Sequence, residues 1–368
     1  MMQTFKIPFV DFKRRYAGLK DEILYGVDEV FSSGNLILGN EVEAFEAAIG
    51  DYLQAPYVLG LANGTDTIML ALKLFGIGAG DEVILPVNTF IATAGAVVAV
   101  NAKPVFCDVT DDLNIDASKI EALITSKTKA IIPVHLTGRP ADMQTISKLA
   151  KRYSLRVIED AAQSIGAKMN GKMTGTLSEM GSFSLHPLKN LHVYGDGGLL
   201  IVQDEGSYRE LKLLRNHGLK DRDTCMRWGI NSRLDSVQAR VGMIGFRYLD
   251  QWNNRRRDIA KQYQEKLGHC LKVPFDKPGE HSVYHNFVVQ TDKRDQLMQF
   301  LQERGIETKI HYPIPLHLQP AAAELGYKAG DFPIAEYLSK TMMSLPVYPE
   351  LKDSEVDHII YSIRDFYG

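Results

Sequence analysis

The chain has 368 residues, 45% of them hydrophobic and 24% charged, with a formal net charge of −3. That is the make-up of a globular protein long enough for a large domain plus a smaller one, and it gives no footing for nucleic acid or an anionic membrane as partner. The three cysteines, Cys107, Cys225 and Cys270, form no CxxC pair, which excludes a disulfide framework and cysteine zinc spacing and fits a reducing cytoplasm.

The first segment, Ile7 to Val10, reads as extended. Lys6, Asp11, Lys13, Arg14 and Arg15 are followed by no long apolar stretch, so no secretory leader is expected. Leu19, Ile23, Leu24 and Val27 recur at helical spacing until Ser33-Gly34-Asn35 breaks the pattern. Glu41 to Leu53 is a second amphipathic helix. Val58 to Leu61 reads as a strand, Ala62 to Asp66 as a turn and Thr67 to Leu74 as an apolar helix. Strands and helices then alternate. Strands are expected at Glu82–Pro86, Pro104–Cys107, Ala130–Val134, Arg156–Asp160, Gly181–Ser184 and Leu199–Val202, and helices at Thr89–Val100, Ser118–Ile124 and Asp142–Tyr153. The most apolar run, Ile91 to Val100, is too short to span a bilayer and reads as a buried helix. Short apolar strands separated by helices predict an α/β fold with a mainly parallel sheet covered on both faces.

From Asn231 to Leu267 a helical pattern runs without proline and is expected to bridge two domains. Its Arg255-Arg256-Arg257 run reads as a solvated helix face. A strand at Tyr284–Val289 and a helix at Asp295–Arg304 follow, then the proline-rich loop from Lys309 to His317. Helices at Ala335–Met342 and Glu355–Tyr367 finish an α+β unit. The expected division is residues 1–245 and 246–368.

Ligands on such a sheet lie at the carboxyl ends of its strands, which is where Asn63, Asp160 and the loop carrying Lys189 fall. The turn at Gly64-Thr65 starts a helix whose first amides lack internal partners, a natural anion site, although a plain N-cap reads the same way. Asp160 ends a buried strand, where a carboxylate needs a cation or hydrogen bonds, and Gln163 lies three residues on. That aspartate equally fits a structural cap. Lys189 follows Pro187 on an irregular loop. A lone lysine reads first as a surface residue, but one held in a cleft loses basicity and can form a Schiff base. Together a lysine for an aldehyde, a carboxylate for a ring nitrogen and donors for a phosphate are what a pyridine-aldehyde cofactor needs.

The stretches Asn63-Gly-Thr-Asp66, Glu159-Asp-Ala-Ala-Gln163, Ser182-Phe-Ser-Leu-His-Pro-Leu-Lys-Asn190 and Gly195-Asp-Gly-Gly198 resemble the pyridoxal-phosphate sugar aminotransferases of the DegT/DnrJ/EryC1/StrS family. Ile230-Asn-Ser-Arg-Leu-Asp235, Val283-Tyr-His285 and Ile310-His-Tyr-Pro-Ile-Pro-Leu-His317 continue the likeness in family order, from about Ile7 to Tyr367. The resemblance implies the fold-type I aminotransferase architecture, with a seven-stranded sheet and an active site shared across a homodimer. It implies pyridoxal 5'-phosphate as cofactor, L-glutamate and a keto-sugar as substrates, and no metal. Lys189 would be the Schiff-base lysine and acid/base, and Asp160 the partner of the ring nitrogen. Gln163 would lie near the ring hydroxyl and Phe90 on the ring face, unless Phe90 is a core phenylalanine. Gly64, Thr65 and Ser184 would hold the phosphate, with Asn231 reaching it from the neighbouring subunit. The product would enter a surface polysaccharide, lipopolysaccharide or glycosylated metabolite.

His186 stands where the family often has Tyr or Phe, and Thr137 where it usually has Tyr. His186 is therefore a candidate substrate contact, with a packed histidine as the alternative, and His311, Tyr312 and His317 are candidates on the proline-rich loop. The His-Pro-Leu-Lys-Asn-Leu-His form is similar to a branch that makes 8-amino-3,8-dideoxy-manno-octulosonate. Two other readings share the fold. One is a sugar dehydratase, whose members replace the lysine by histidine, and the other a non-enzymatic regulator. The intact set of Lys189, Asp160 and Gln163 disfavours both.

Overall fold

The computed structural model describes residues 5–368. Two helices lead, α1 (Phe12–Ser33) and α2 (Asn40–Leu53). The sheet region then runs β1 (Tyr57–Leu61), α3 (Gly64–Leu74), β2 (Glu82–Pro86), α4 (Ile91–Ala99), β3 (Lys103–Cys107), α5 (Ala117–Ile120), β4 (Thr128–Ile131), α6 (Met143–Tyr153) and β5 (Arg156–Asp160). A short hairpin, β6 (Lys168–Met169) and β7 (Lys172–Met173), precedes β8 (Met180–Ser184), β9 (Gly198–Val202) and α7 (Glu205–Leu214). The expected alternation is present, and side-chain caps fix several helix starts. Asn63, Asp142 and Asp204 each accept a backbone N–H three residues on, at 2.8, 3.1 and 2.8 Å.

The main sheet has seven strands in the order β1-β9-β8-β5-β4-β2-β3. Only β9 runs against the others, pairing antiparallel with both β1 and β8. The remaining strands therefore end at one edge, and Gly198 sits level there with Leu61 and Ser184. Alternate residues bury on opposite faces. Leu59, Leu61, Leu200 and Val202 join one core with α3 and α4, and Val58, Leu199 and Ile201 join Phe45, Ile49 and Phe183 on the other.

The uninterrupted helix expected over Asn231–Leu267 is two helices, α8 (Ser236–Phe246) and α9 (Leu249–Leu267), joined at Arg247-Tyr248. Its first residues are extended instead, because Ser232 N–H bonds the Arg215 carbonyl at 2.9 Å and Asp235 bridges Ile37. After α9 come β10 (Glu280–His281), β11 (Phe287–Gln290), α10 (Arg294–Glu303), α11 (Pro333–Thr341), β12 (Met342–Leu345) and α12 (Asp353–Tyr367). Met342, expected to end a helix, opens a strand antiparallel to β11. Residues from α9, β11, α10, β12 and α12 form a separate core around Tyr263, Phe287 and Tyr348. Leu316, Phe332 and Leu338 pack instead into the core beside the main sheet, and so bring the loop before them to its carboxyl edge.

Candidate active site

At that edge lies a cavity of about 310 Å³. Lys189 reaches it from the loop after β8. The loop is pinned at both ends, by Leu185 N–H to the Gly197 carbonyl (2.8 Å) and Val193 N–H to the Leu185 carbonyl (2.9 Å). Lys189 N–H closes a tight turn onto the His186 carbonyl at 2.8 Å. Buried Arg15 of α1 supports the turn from below, donating to the Pro187 carbonyl at 3.4 Å while paired with Glu350 at 3.0 Å. Burial pushes the Lys189 ammonium down to about 8, against the opposing pull of the Asp160 carboxylate. An uncharged amine is thus accessible near neutral pH.

Asp160 ends β5 and is 6% exposed. Its Oδ1 accepts from Ala162 N–H at 3.2 Å and its Oδ2 from the Thr93 hydroxyl at 2.7 Å. Thr93 in turn lies 3.0 Å from the Thr89 hydroxyl. A carboxylate can only accept, so Thr93 donates to it and Thr89 donates to Thr93. Each Asp160 oxygen therefore has a donor and keeps a free lone-pair direction.

Gln163 lies on the same wall. Its Oε1 accepts from Thr137 N–H at 2.7 Å, and its Nε2 faces the Tyr312 hydroxyl at 3.4 Å. Burial raises the Tyr312 phenol to about 12, so it stays neutral. Phe90 caps α4 with its ring 6.0 Å from that of Tyr312. At 54% exposure it is no core phenylalanine.

The start of α3 forms the other end of the cavity, where Gly64, Thr65 and Ser184 meet. A side chain at Gly64 would place its Cβ 2.9 Å from the Ser184 Cβ, so only glycine allows this approach. The Asn63 side chain takes the Asp66 amide at 2.8 Å, and the Gly64 and Thr65 amides and the Ser184 hydroxyl hydrogen remain for an anion.

Among the residues expected to contact substrate, His186, His311 and Tyr312 line the cavity. His186 is exposed, and its Nδ1 accepts from Leu188 N–H at 3.2 Å, so it is not a packed histidine. His311 bonds Ser344 Oγ at 2.8 Å, and burial lowers its ring to about 4. His317 does not belong with them. It is 3% exposed, its ring lies 4.7 Å from Phe332 and its Nε2 bonds Glu336 at 3.0 Å, because the turn after Pro315 carries it into the core. Thr137 also stays off the cavity wall and contributes its amide to Gln163 instead. Asn231 is exposed and outside this cavity. The structure adds Thr89, Thr93, Asp196 and His285, which the sequence reading had not placed in the site. Only the Asp196 and His285 motifs carried a signal, since a threonine in an apolar helix reads as core.

Residues 18–364 match the DegT/DnrJ/EryC1/StrS aminotransferase family. The chain is 44% identical over 366 residues to the UDP-N-acetyl-3-dehydro-alpha-D-glucosamine 3-aminotransferase of Acidithiobacillus ferrooxidans, covering 99% of each. It is also 44% identical over 366 residues, 98% of each, to a Geobacillus stearothermophilus protein named as a pleiotropic regulatory protein. Among solved structures, S. venezuelae DesV in complex with a ketimine intermediate superposes with a TM-score of 0.96 at 39% identity, over 99% of both chains. Bacillus subtilis NtdA with bound cofactor PMP superposes at 0.91 and 31% identity, over 99% of this chain and 85% of that one. The chain belongs to the DegT/DnrJ/EryC1/StrS aminotransferase family.

Proposed function

We propose that the protein moves the amino group of L-glutamate to the ketone of a nucleotide-linked 3-keto-sugar. It is a sugar aminotransferase that works with pyridoxal 5'-phosphate. The observation that carries this is the meeting, in one cavity, of a lysine with a depressed pKa, a carboxylate held by two donors and the open start of α3. These groups fit the cofactor's aldehyde, ring nitrogen and phosphate. The nucleotide and the position of the ketone are carried over from the Acidithiobacillus relative. This reading favours a nucleotide sugar over the octulosonate branch.

When bound, pyridoxal 5'-phosphate supplies an aldehyde for amines and a ring that draws electrons from the neighbouring carbon. Lys189 is the residue to hold that aldehyde, and Asp160 the residue to pair with the ring nitrogen. Gly64, Thr65 and Ser184 would hold the phosphate, Gln163 would lie by the ring hydroxyl and Phe90 would cover a ring face. Lys189 Nζ would accept the proton that leaves the donor's α-carbon and deliver it to a different carbon, a shuttle its lowered pKa permits near neutrality. Half-buried, neutral Tyr312 and His311 close one side of the cavity. His186 at the mouth meets the sugar.

The active unit is a homodimer in which Asn231 reaches the neighbouring site. Residues 1–245 hold the cofactor and 246–368 form the smaller unit. The enzyme works in the cytoplasm and supplies an amino sugar for a surface polysaccharide, lipopolysaccharide or glycosylated metabolite. No helix among the described residues is long and apolar enough to cross a membrane. The regulatory name of the Geobacillus relative raises the second reading, a sensor on the same fold. Lys189, whose amine has no hydrogen-bond or ion-pair partner among the described residues, favours catalysis, and a dehydratase would carry histidine at position 189. A panel of nucleotide-linked and free 3-keto-sugars, assayed with glutamate and cofactor, tests the proposal. Amination of a nucleotide-linked member supports it, and amination of none opposes it.

A further inference from the structure

Gln163 and Tyr312 share one wall of the cavity, and the hydrogens along that wall run in a single direction. The chain starts at Thr137. Its backbone is left-handed (φ 62°, ψ 6°), a conformation that a β-branched residue adopts only under constraint. The constraint comes from the segment ahead of β11. Asn286 N–H donates to the Thr137 carbonyl at 3.4 Å, and Val283 N–H to the Gly138 carbonyl at 2.9 Å. Held so, Thr137 N–H donates to the Gln163 side chain at 2.7 Å. A backbone N–H can only donate, so the atom it meets is the amide oxygen, and the Gln163 NH2 faces the other way. One of its hydrogens goes to the Tyr312 hydroxyl oxygen at 3.4 Å. Partial burial keeps that phenol protonated, with its pKa raised to about 12. Tyr312 accepts from Gln163 and has no acceptor of its own among the described residues, so its hydroxyl hydrogen is unspent.

Two hydrogens are thus left on this wall, the second of the Gln163 NH2 and that of the Tyr312 hydroxyl. The Gln163 oxygen, the acceptor that could have reversed this order, is turned away to Thr137. We propose that Thr137 is a positioning residue whose backbone amide sets Gln163 and Tyr312 as a pair of donors for one anionic oxygen, the ionised ring hydroxyl of pyridoxal 5'-phosphate. This rests on the reading of the cavity as the site of that cofactor. Donors 3.4 Å apart can converge on a single oxygen. Such a pair stabilises the charged oxygen, and so lowers the pH at which bound cofactor gains a proton. The other titratable groups facing this wall are Asp160 at the end of β5, Lys189, His186 and Asp196 on the loop after β8, His285 ahead of β11 and His311 next to Tyr312. None is altered in the variants below.

The test reads the visible absorbance of cofactor-loaded protein against pH, without turnover. Tyr312→Phe removes one donor and keeps the ring. An ester in place of the amide between Leu136 and Thr137, introduced with the α-hydroxy acid that corresponds to threonine, removes only the Thr137 N–H and frees the Gln163 amide to turn over. Each change is expected to raise the half-point of the absorbance titration by about one pH unit, the size of one hydrogen bond to a charged group. A half-point unmoved from wild type in either protein overturns the proposal. The absorbance of bound cofactor itself shows that a variant is folded and loaded. If the ester protein loads no cofactor, Tyr312→Phe decides alone. A wild-type protein that takes up no cofactor overturns the functional reading itself, an outcome distinct from a wild-type profile in Tyr312→Phe.

Discussion

Thr93 donates its hydroxyl hydrogen to Oδ2 of Asp160 at 2.7 Å, and both residues are buried. With Thr89 behind it, this hydroxyl chain fixes the carboxylate before any cofactor arrives. Thr93→Val keeps the shape and removes the donor. A hydrogen bond to a charged group contributes about 1.5–3 kcal/mol, so the variant should bind pyridoxal phosphate about tenfold or more weakly. Thr93→Ser should bind nearly as wild type. Fluorescence titration of cofactor-free protein measures both. Equal affinity in all three proteins would remove Thr93 from the site.

The lysine gives a pH prediction. Lys189 in the cofactor-free fold titrates at about 8, below the ordinary lysine value of 10.5. Its pKa is depressed on folding, so its neutral form is the one the fold favours. Its unfavourable contribution to stability is full below pH 8 and fades as pH rises toward the ordinary value. Acylation of Lys189 should accordingly reach half-maximum near pH 8, while exposed lysines lag by about two units. A Lys189 profile matching theirs would contradict the assigned burial.

Gly64 supports a steric prediction. Gly64→Ala must push Ser184 aside, since the new Cβ would lie 2.9 Å from that of Ser184. Overpacking of this kind costs about 1–3 kcal/mol. The cost should appear mainly as weaker phosphate affinity, read by competition between inorganic phosphate and the cofactor. Unchanged phosphate competition would show that the anion sits elsewhere.

Glu159, next to Asp160 but on the opposite side of the strand, is fully buried. It accepts from Gly175 N–H (2.7 Å), Leu177 N–H (2.7 Å), Ser178 Oγ (2.9 Å) and His135 Nε2 (2.9 Å). His135 Nδ1 accepts from Ala141 N–H at 3.0 Å, so its hydrogen is on Nε2. Glu159→Ala leaves the Gly175 and Leu177 amides and the His135 ring N–H unpaired, while Ser178 keeps the Met180 carbonyl at 3.1 Å, and should destabilise the fold by roughly 3 kcal/mol in denaturant unfolding. A loss below about 1 kcal/mol would contradict the network.

Much of this was legible in the chain, for identifiable reasons. Asn63, Asp160 and Lys189 each follow a strand, and parallel strands bring such positions to one edge whatever their separation in sequence. Thr93 was illegible because its role depends on α4 lying across the end of β5. His285 stood in a noted motif, but its contact with Asn190 joins residues far apart in the chain. The break at Arg247-Tyr248 carries no proline. It comes just after Gly242, where Phe45 packs too closely for a Cβ, a contact that sequence periodicity does not report. His317 was misplaced because prolines mark a rigid loop without saying which of its residues face the cavity.

The central claim is that Lys189 and Asp160 make this cavity an amino-transfer site. The most direct measurement follows the visible absorbance of the purified protein supplied with pyridoxal phosphate. L-glutamate should bleach it and a UDP-linked 3-keto-sugar should restore it, with one amino sugar formed per cycle, and Lys189→Ala should lose at least about a hundredfold in turnover. A wild-type protein that takes up no cofactor, or a Lys189→Ala variant with full turnover, would contradict the account.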